Sequence, residues 1–143
     1  KPYKNYLLNL QLKNLIIPLS IIFAFTMGYS NDLTSFDSAL ELAKETDKPV
    51  LIDIFADWWL PCWKFGRASK KDKEVKTLIE NVVLLKLNIK ETESEHIIET
   101  FGKPEGFPTF FLVNPDGSLK ESWSGYSKDS FLTKTTSLLD LPN

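Results

Sequence analysis

Val50-Leu-Ile-Asp-Ile-Phe-Ala-Asp-Trp-Trp-Leu-Pro-Cys-Trp-Lys-Phe65 is the stretch whose reading decides the fold. Five of its first seven residues are large and apolar, with one carboxylate, Asp53, set among them. A short apolar run of this kind after Lys48-Pro49 predicts a central strand covered on both faces. Asp57 and Pro61 bracket a turn, and Pro61 suits the first turn of a following helix. The stretch therefore runs from a buried strand into an exposed turn that carries the only cysteine, Cys62. A helix N-terminus offers a positive dipole end and free N–H groups, which lower the pKa of a thiol placed there. Asp53 needs a reason, because an ionised carboxylate inside an apolar strand is costly.

The segment from Asp53 through Phe55-Ala56-Asp57-Trp58-Trp59-Leu60-Pro61-Cys62 to Lys64 resembles the active-site segment of thioredoxins, whose core is Trp-Cys-x-x-Cys-Lys. Its Ala-Asp-Trp spelling is similar to the C-terminal thioredoxin-like domain of DsbD-type thiol:disulfide interchange proteins. In that register Trp58 is the motif tryptophan and Cys62 the second, resolving cysteine. Trp59 stands where the attacking cysteine belongs. The resemblance implies an α/β thioredoxin fold, a mixed β-sheet flanked by helices, and covers nearly all of the chain from Thr34 to Asp140.

At 143 residues the chain holds one ordinary domain with a real core, and an apolar share of 43% is that of a globular protein. The first thirty residues read differently. They contain Lys1, Lys4, Lys13, no acidic residue, and the apolar run Leu15 to Met27, closed by Gly28-Tyr29-Ser30. This fits a signal peptide, or an N-terminal anchor if Leu7, Leu8, Leu10 and Leu12 extend the run. Residues 31–143 then form the thioredoxin-like domain, expected in the periplasm or secreted. That remainder carries all 19 acidic side chains against 14 of the 17 basic ones. It shows no basic stripe, so nucleic acid is not expected as a partner. One cysteine cannot form an internal disulfide. Cys62 and His96 are the only soft or imidazole ligands, so neither a metal nor another cofactor is expected.

Along the chain, Thr34 or Ser35 caps a helix to about Thr46, and the strand Val50–Ala56 follows. A helix from about Leu60 is expected to break or kink at Gly66 or within Ser69–Lys73, with Asp72 capping a second piece through Asn81. Val82–Ile89 reads as a second buried strand, and Glu91–Phe101 as an acidic helix stopped by Gly102. His96 on that helix reads as a solvated surface residue. Phe110–Val113 and Leu119–Trp123 pair across the turn Asn114-Pro115-Asp116-Gly117, and a last helix spans about Asp129 to Leu139.

Gly106-Phe107-Pro108-Thr109 reads as a tight turn entering a strand. It resembles the family's cis-proline loop, which implies that Phe107, the residue before Pro108, offers backbone groups to an extended substrate. Asp53 lies at the spacing of the family's buried proton acceptor. Lys86 reads either as the family lysine beside that carboxylate or as a surface lysine at a strand end. Trp58, Trp59 and Trp63 enlarge an aromatic surface around the turn, suited with Pro61 to binding extended polypeptide. Two functions follow as expectations. One is an exported oxidoreductase-lineage protein restricted to monothiol chemistry by Trp59. The other is a non-enzymatic module binding polypeptide at the proline groove. Protein thiols, disulfides or extended chains are the expected partners, with a membrane redox partner for an anchored form. A monomer is expected.

Overall fold

The computed structural model describes residues 33–142. The expected leader or anchor over residues 1–30 lies outside them. Among the described residues the order is α1 (Phe36–Thr46), β1 (Val50–Phe55), α2 (Leu60–Lys71), α3 (Lys73–Ile79), β2 (Val83–Asn88), α4 (Thr92–Phe101), β3 (Thr109–Val113), β4 (Leu119–Ser124) and α5 (Lys128–Leu138). The four strands form one mixed sheet in the order β2-β1-β3-β4. β1 runs parallel to β2 and antiparallel to β3, and β4 returns antiparallel to β3. This is the thioredoxin fold expected above.

Alternation along β1 sorts its side chains to two cores. Val50, Ile52 and Ile54 pack with Phe36, Ala39 and Ala43 of α1 and Ile97 of α4. Leu51 joins Phe65, Val75, Leu78, Phe110 and Phe131 on the opposite face, under α2, α3 and α5. Asp53 shares the parity of Leu51, so the only charge on the strand faces α2. Every β1 residue through Ile54 is buried, as expected of a central strand.

Local chemistry sets the element ends. Ser35 caps α1 by accepting from the Ser38 N–H at 3.3 Å. The expected kink at Gly66 does not occur: α2 is continuous through it to Lys71. The break falls at Asp72. Its N–H still donates to the Ala68 carbonyl at 2.9 Å, while its extended backbone leaves the helix. Its carboxylate then accepts from the N–H groups of Glu74 and Val75 and starts α3. β2 also departs from expectation. It is an edge strand, with Val83, Leu85 and Leu87 buried and Leu84, Lys86 and Asn88 only half-buried. A parallel edge strand needs apolar residues on its inner face alone, and the sequence of β2 alternates accordingly.

Phe65 holds α2 on the sheet. It is fully buried, with ring centroids 4.8 Å from Phe110 and 5.1 Å from Phe131. Phe65→Ala is expected to cost about 3–5 kcal/mol, the usual range for truncating a buried phenylalanine. Urea unfolding of the two proteins checks this; a loss below about 1 kcal/mol would mean that α2 is held by something else.

Candidate functional site

The site gathers at the C-terminal end of β1, where the chain turns into α2. Residues 57–59 form the turn, and the Trp59 N–H donates to the Ala56 carbonyl at 3.1 Å. Trp59 is the N-cap of α2, without a side-chain cap, and Pro61 sits in the first helical turn, where a missing N–H costs nothing. The indoles of Trp58, Trp59 and Trp63 and the Leu60 side chain all stand at least half-exposed. Lys90 lies over the Trp58 ring at 4.7 Å and also reaches Asp57 at 3.4 Å.

Cys62 does not share that exposure. The sequence places it in an exposed turn, yet the helix turns it inward, leaving it 6% exposed. Its Sγ accepts from the Ala56 N–H at 3.4 Å. Burial pushes the thiol above its ordinary value. The Ala56 N–H opposes that shift, the Asp53 charge adds to it, and Lys86 opposes it. Desolvation outweighs the helix N-terminus here.

Asp53 is 1% exposed, and neither of its carboxylate oxygens has a hydrogen-bond partner. Its one close contact is Lys86 Nζ at 3.4 Å, a loose ion pair. Lys86 sits directly opposite Asp53 in the β1–β2 register, so strand pairing brings the two together. Burial raises the Asp53 carboxyl to about 6 against the pull of the lysine. Lys86 is thus neither wholly buried nor a free surface lysine. It is one-third exposed, with its ammonium between the rings of Phe55 and Phe65, 5.4 Å from each centroid.

The Phe107–Pro108 peptide bond is cis, with Pro108 buried and Phe107 half-buried. Thr109 pairs with Ile54 across β1 and β3, which sets Pro108 level with the end of β1 and the turn beyond it. The Pro108 carbonyl accepts from the Gly125 N–H at 2.8 Å, and the Thr109 hydroxyl donates to the Gly106 carbonyl. His96 is exposed on α4, away from these groups. Among the described residues no metal-binding cluster occurs.

Sequence reading missed the second wall of this site. A groove of about 560 Å³ opens beside Cys62, lined by Phe55, Ala56 and Asp57 of the strand end and by Trp63, Gly66, Arg67, Lys70 and Lys71 of α2, with Lys86. The signal was present as spacing: Gly66 and Lys70 lie four and eight residues after Cys62, on one helical face.

The pattern of the thioredoxin-like family matches residues 32–115. Curated relatives include the thiol:disulfide interchange protein DsbD of Yersinia pestis, 29% identical over 79 residues, or 54% of this chain and 13% of that protein. The DsbD protein of Neisseria meningitidis is 29% identical over 101 residues, covering 68% of this chain and 16% of the relative. The chain thus spans only a small part of the length of these relatives. The reduced C-terminal domain of Neisseria meningitidis DsbD, a crystal structure, superimposes with a TM-score of 0.55 at 24% identity. That match covers 73% of this chain and 98% of that domain.

Because Asp53 titrates near 6 in the folded chain rather than at 3.8, the native state keeps a proton between these values that the unfolded chain has lost. Stability from this group is therefore full below about pH 4 and falls as pH rises toward 6. The gap corresponds to roughly 3 kcal/mol at most. Asp53→Asn should remove this slope, so the variant gains on the parent between pH 4 and pH 7 in urea unfolding. Parallel stability profiles across that window would show that Asp53 does not titrate there.

Proposed function

Since the chain belongs to the thioredoxin-like family of thiol:disulfide oxidoreductases, we propose that it is an exported member whose active site is reduced to one thiol. The observation that carries this reading is the contrast between the two halves of the site. Buried Asp53 and its partner Lys86 lie within electrostatic reach of Cys62, and Pro108 stands level with the end of β1, while Trp59 holds the position that the resemblance gives to the attacking cysteine.

Disulfide exchange proceeds by thiolate attack on a disulfide sulfur, giving a mixed disulfide that a second thiol resolves. An indole cannot attack sulfur. Cys62 acts alone, first losing its proton, for which the Asp53 carboxylate is the nearby acceptor above about pH 6. Its thiolate then attacks one sulfur of an external disulfide, the other sulfur leaves as a thiolate, and an external thiol reverses the step. Phe107 holds an extended polypeptide by its backbone, with Pro108 beside it. Residues 1–30 direct export or anchor the domain, so it works in the periplasm or outside the cell, with protein thiols and disulfides as partners and a membrane redox protein as reductant for an anchored form. The domain works as a monomer.

A second reading draws on the exposed side chains of Trp58, Trp59, Leu60 and Trp63, a contiguous apolar surface of the kind that binds other chains. In that reading the domain binds extended polypeptide without chemistry. Such affinity would survive Cys62→Ser.

Insulin reduction with dithiothreitol separates these readings. The chain as it stands should accelerate the reaction little, and Trp59→Cys should raise the rate at least about 100-fold, because it restores attack and resolution on one scaffold. Inactivity of both proteins would overturn the oxidoreductase reading and leave the binding module.

A further inference from the structure

Cys62 is buried at 6% exposure, yet it is one of the residues that line a groove next to α2. The groove beside it is walled by the end of β1 on one side and α2 on the other, with Lys86 of β2 in its lining. Four cationic side chains line it, Arg67, Lys70, Lys71 and Lys86, against one exposed carboxylate, Asp57, which Lys90 already meets at 3.4 Å. This runs against the charge of the domain, whose acidic residues outnumber its basic ones. α2 itself holds Lys64, Arg67, Lys70 and Lys71 and no acid.

Gly66 forms part of the groove wall. Glycine in a helix interior is unfavourable compared with alanine, and here it lies one turn after Cys62 on the same face. A Cβ at Gly66 would stand 3.5 Å from Lys86 Nζ, an ordinary contact, so a side chain longer than alanine would extend beside that ammonium. The groove also has an unfinished polar partner behind it. Asp53 is buried with both oxygens unpartnered, and its sole ion contact, Lys86, is the groove-lining cation. Lys86 is therefore held between a carboxylate inside and the open groove outside.

We propose that this groove binds a small carboxylate-bearing thiol or its disulfide, with Arg67, Lys70 and Lys71 holding the carboxylates and the sulfur delivered to Cys62 Sγ. The proposal rests on the monothiol reading above and names its substrate class. In the forward step Cys62 gives up its proton and its thiolate attacks one sulfur of the disulfide R–S–S–R. A Cys62–S–S–R bond forms, the R–S–S–R bond breaks, and R–S⁻ leaves and takes up a proton. Cys62 is oxidised and one R sulfur reduced. A second R–SH reverses the step and frees Cys62 with R–S–S–R. Of the aromatic surface at the turn only Trp63 borders this groove.

The test uses oxidised glutathione as the anionic probe, with hydroxyethyl disulfide as a neutral one and cystamine as a cationic one. Binding is read first on Cys62→Ser by isothermal titration calorimetry, so that recognition is measured without chemistry. Oxidised glutathione should bind, cystamine should not, and Arg67→Ala with Lys71→Ala should weaken binding at least tenfold. Circular dichroism melts confirm that these exposed substitutions leave the fold intact. On the parent chain, intact mass then follows the mixed disulfide, which should form at least tenfold faster with oxidised glutathione than with cystamine. That preference should fade at high salt. Equal rates with all three probes and no binding to Cys62→Ser would overturn the groove while leaving monothiol chemistry standing. Binding without any mixed disulfide would support the anionic groove and remove the monothiol reading instead.

Discussion

A carboxylate facing a lysine across two neighbouring parallel strands is the constraint around which this fold is arranged. Asp53 sits in a central, buried strand of the sheet, on the face roofed by α2, and Lys86 is its register partner on the edge strand. Their 3.4 Å separation, without a hydrogen bond to either carboxylate oxygen, offsets only part of the desolvation, so the carboxyl remains far above its ordinary value. An apolar residue would be cheaper at this position. The cost is concentrated within reach of the only thiol, whose own titration feels the Asp53 charge, and perturbed groups of this kind gather where protons are exchanged.

β2 lies at the edge so that Lys86 can reach inward to Asp53 and still touch solvent. A lysine in the middle of the sheet would need a second partner or full desolvation. Phe65 keeps α2 close enough to cover the pair, and the two phenylalanine rings beside the ammonium replace part of its lost hydration. Thus the hydrophobic anchoring of α2 and the electrostatics of the site are coupled. Loosening Phe65 would admit water to Asp53 and lower its pKa.

Most of the architecture was readable from periodicity and punctuation. The Val50–Phe55 run, the Ser35 cap, the Asn114–Gly117 turn and Gly102 each state a local preference that the tertiary structure keeps. Gly66 misled because glycine signals weakness without saying whether the helix must break there. Tertiary packing of Phe65 on one side and Ala68 on the other carries α2 past it. The burial of Cys62 agrees with the resemblance, in which the resolving cysteine is the less accessible one, although the turn ahead of it is exposed. A motif fixes a residue's place along the helix, whereas the direction in which the helix presents it depends on which face is apolar. Phe65, three residues on, turns that face to the sheet and takes the thiol with it. The cationic wall was harder to see, because Lys86 comes from another strand and no linear window contains both.

Cys62 therefore has two unlike surroundings. Toward the turn stand exposed indoles and the backbone of the cis-proline loop, a wide surface whose contacts are with apolar side chains and extended backbone. Toward the groove stand a glycine and four cations, which reward small size and negative charge. With a cysteine at position 59, chemistry would begin on the turn side, where the large surface is. With tryptophan there, the remaining sulfur is that of the buried Cys62 rather than of a residue at the exposed tip. A small anionic disulfide approaches that sulfur along the groove. Replacing one residue at the tip thus shifts the favourable approach from the aromatic side to the charged one, without any change in the fold that carries both.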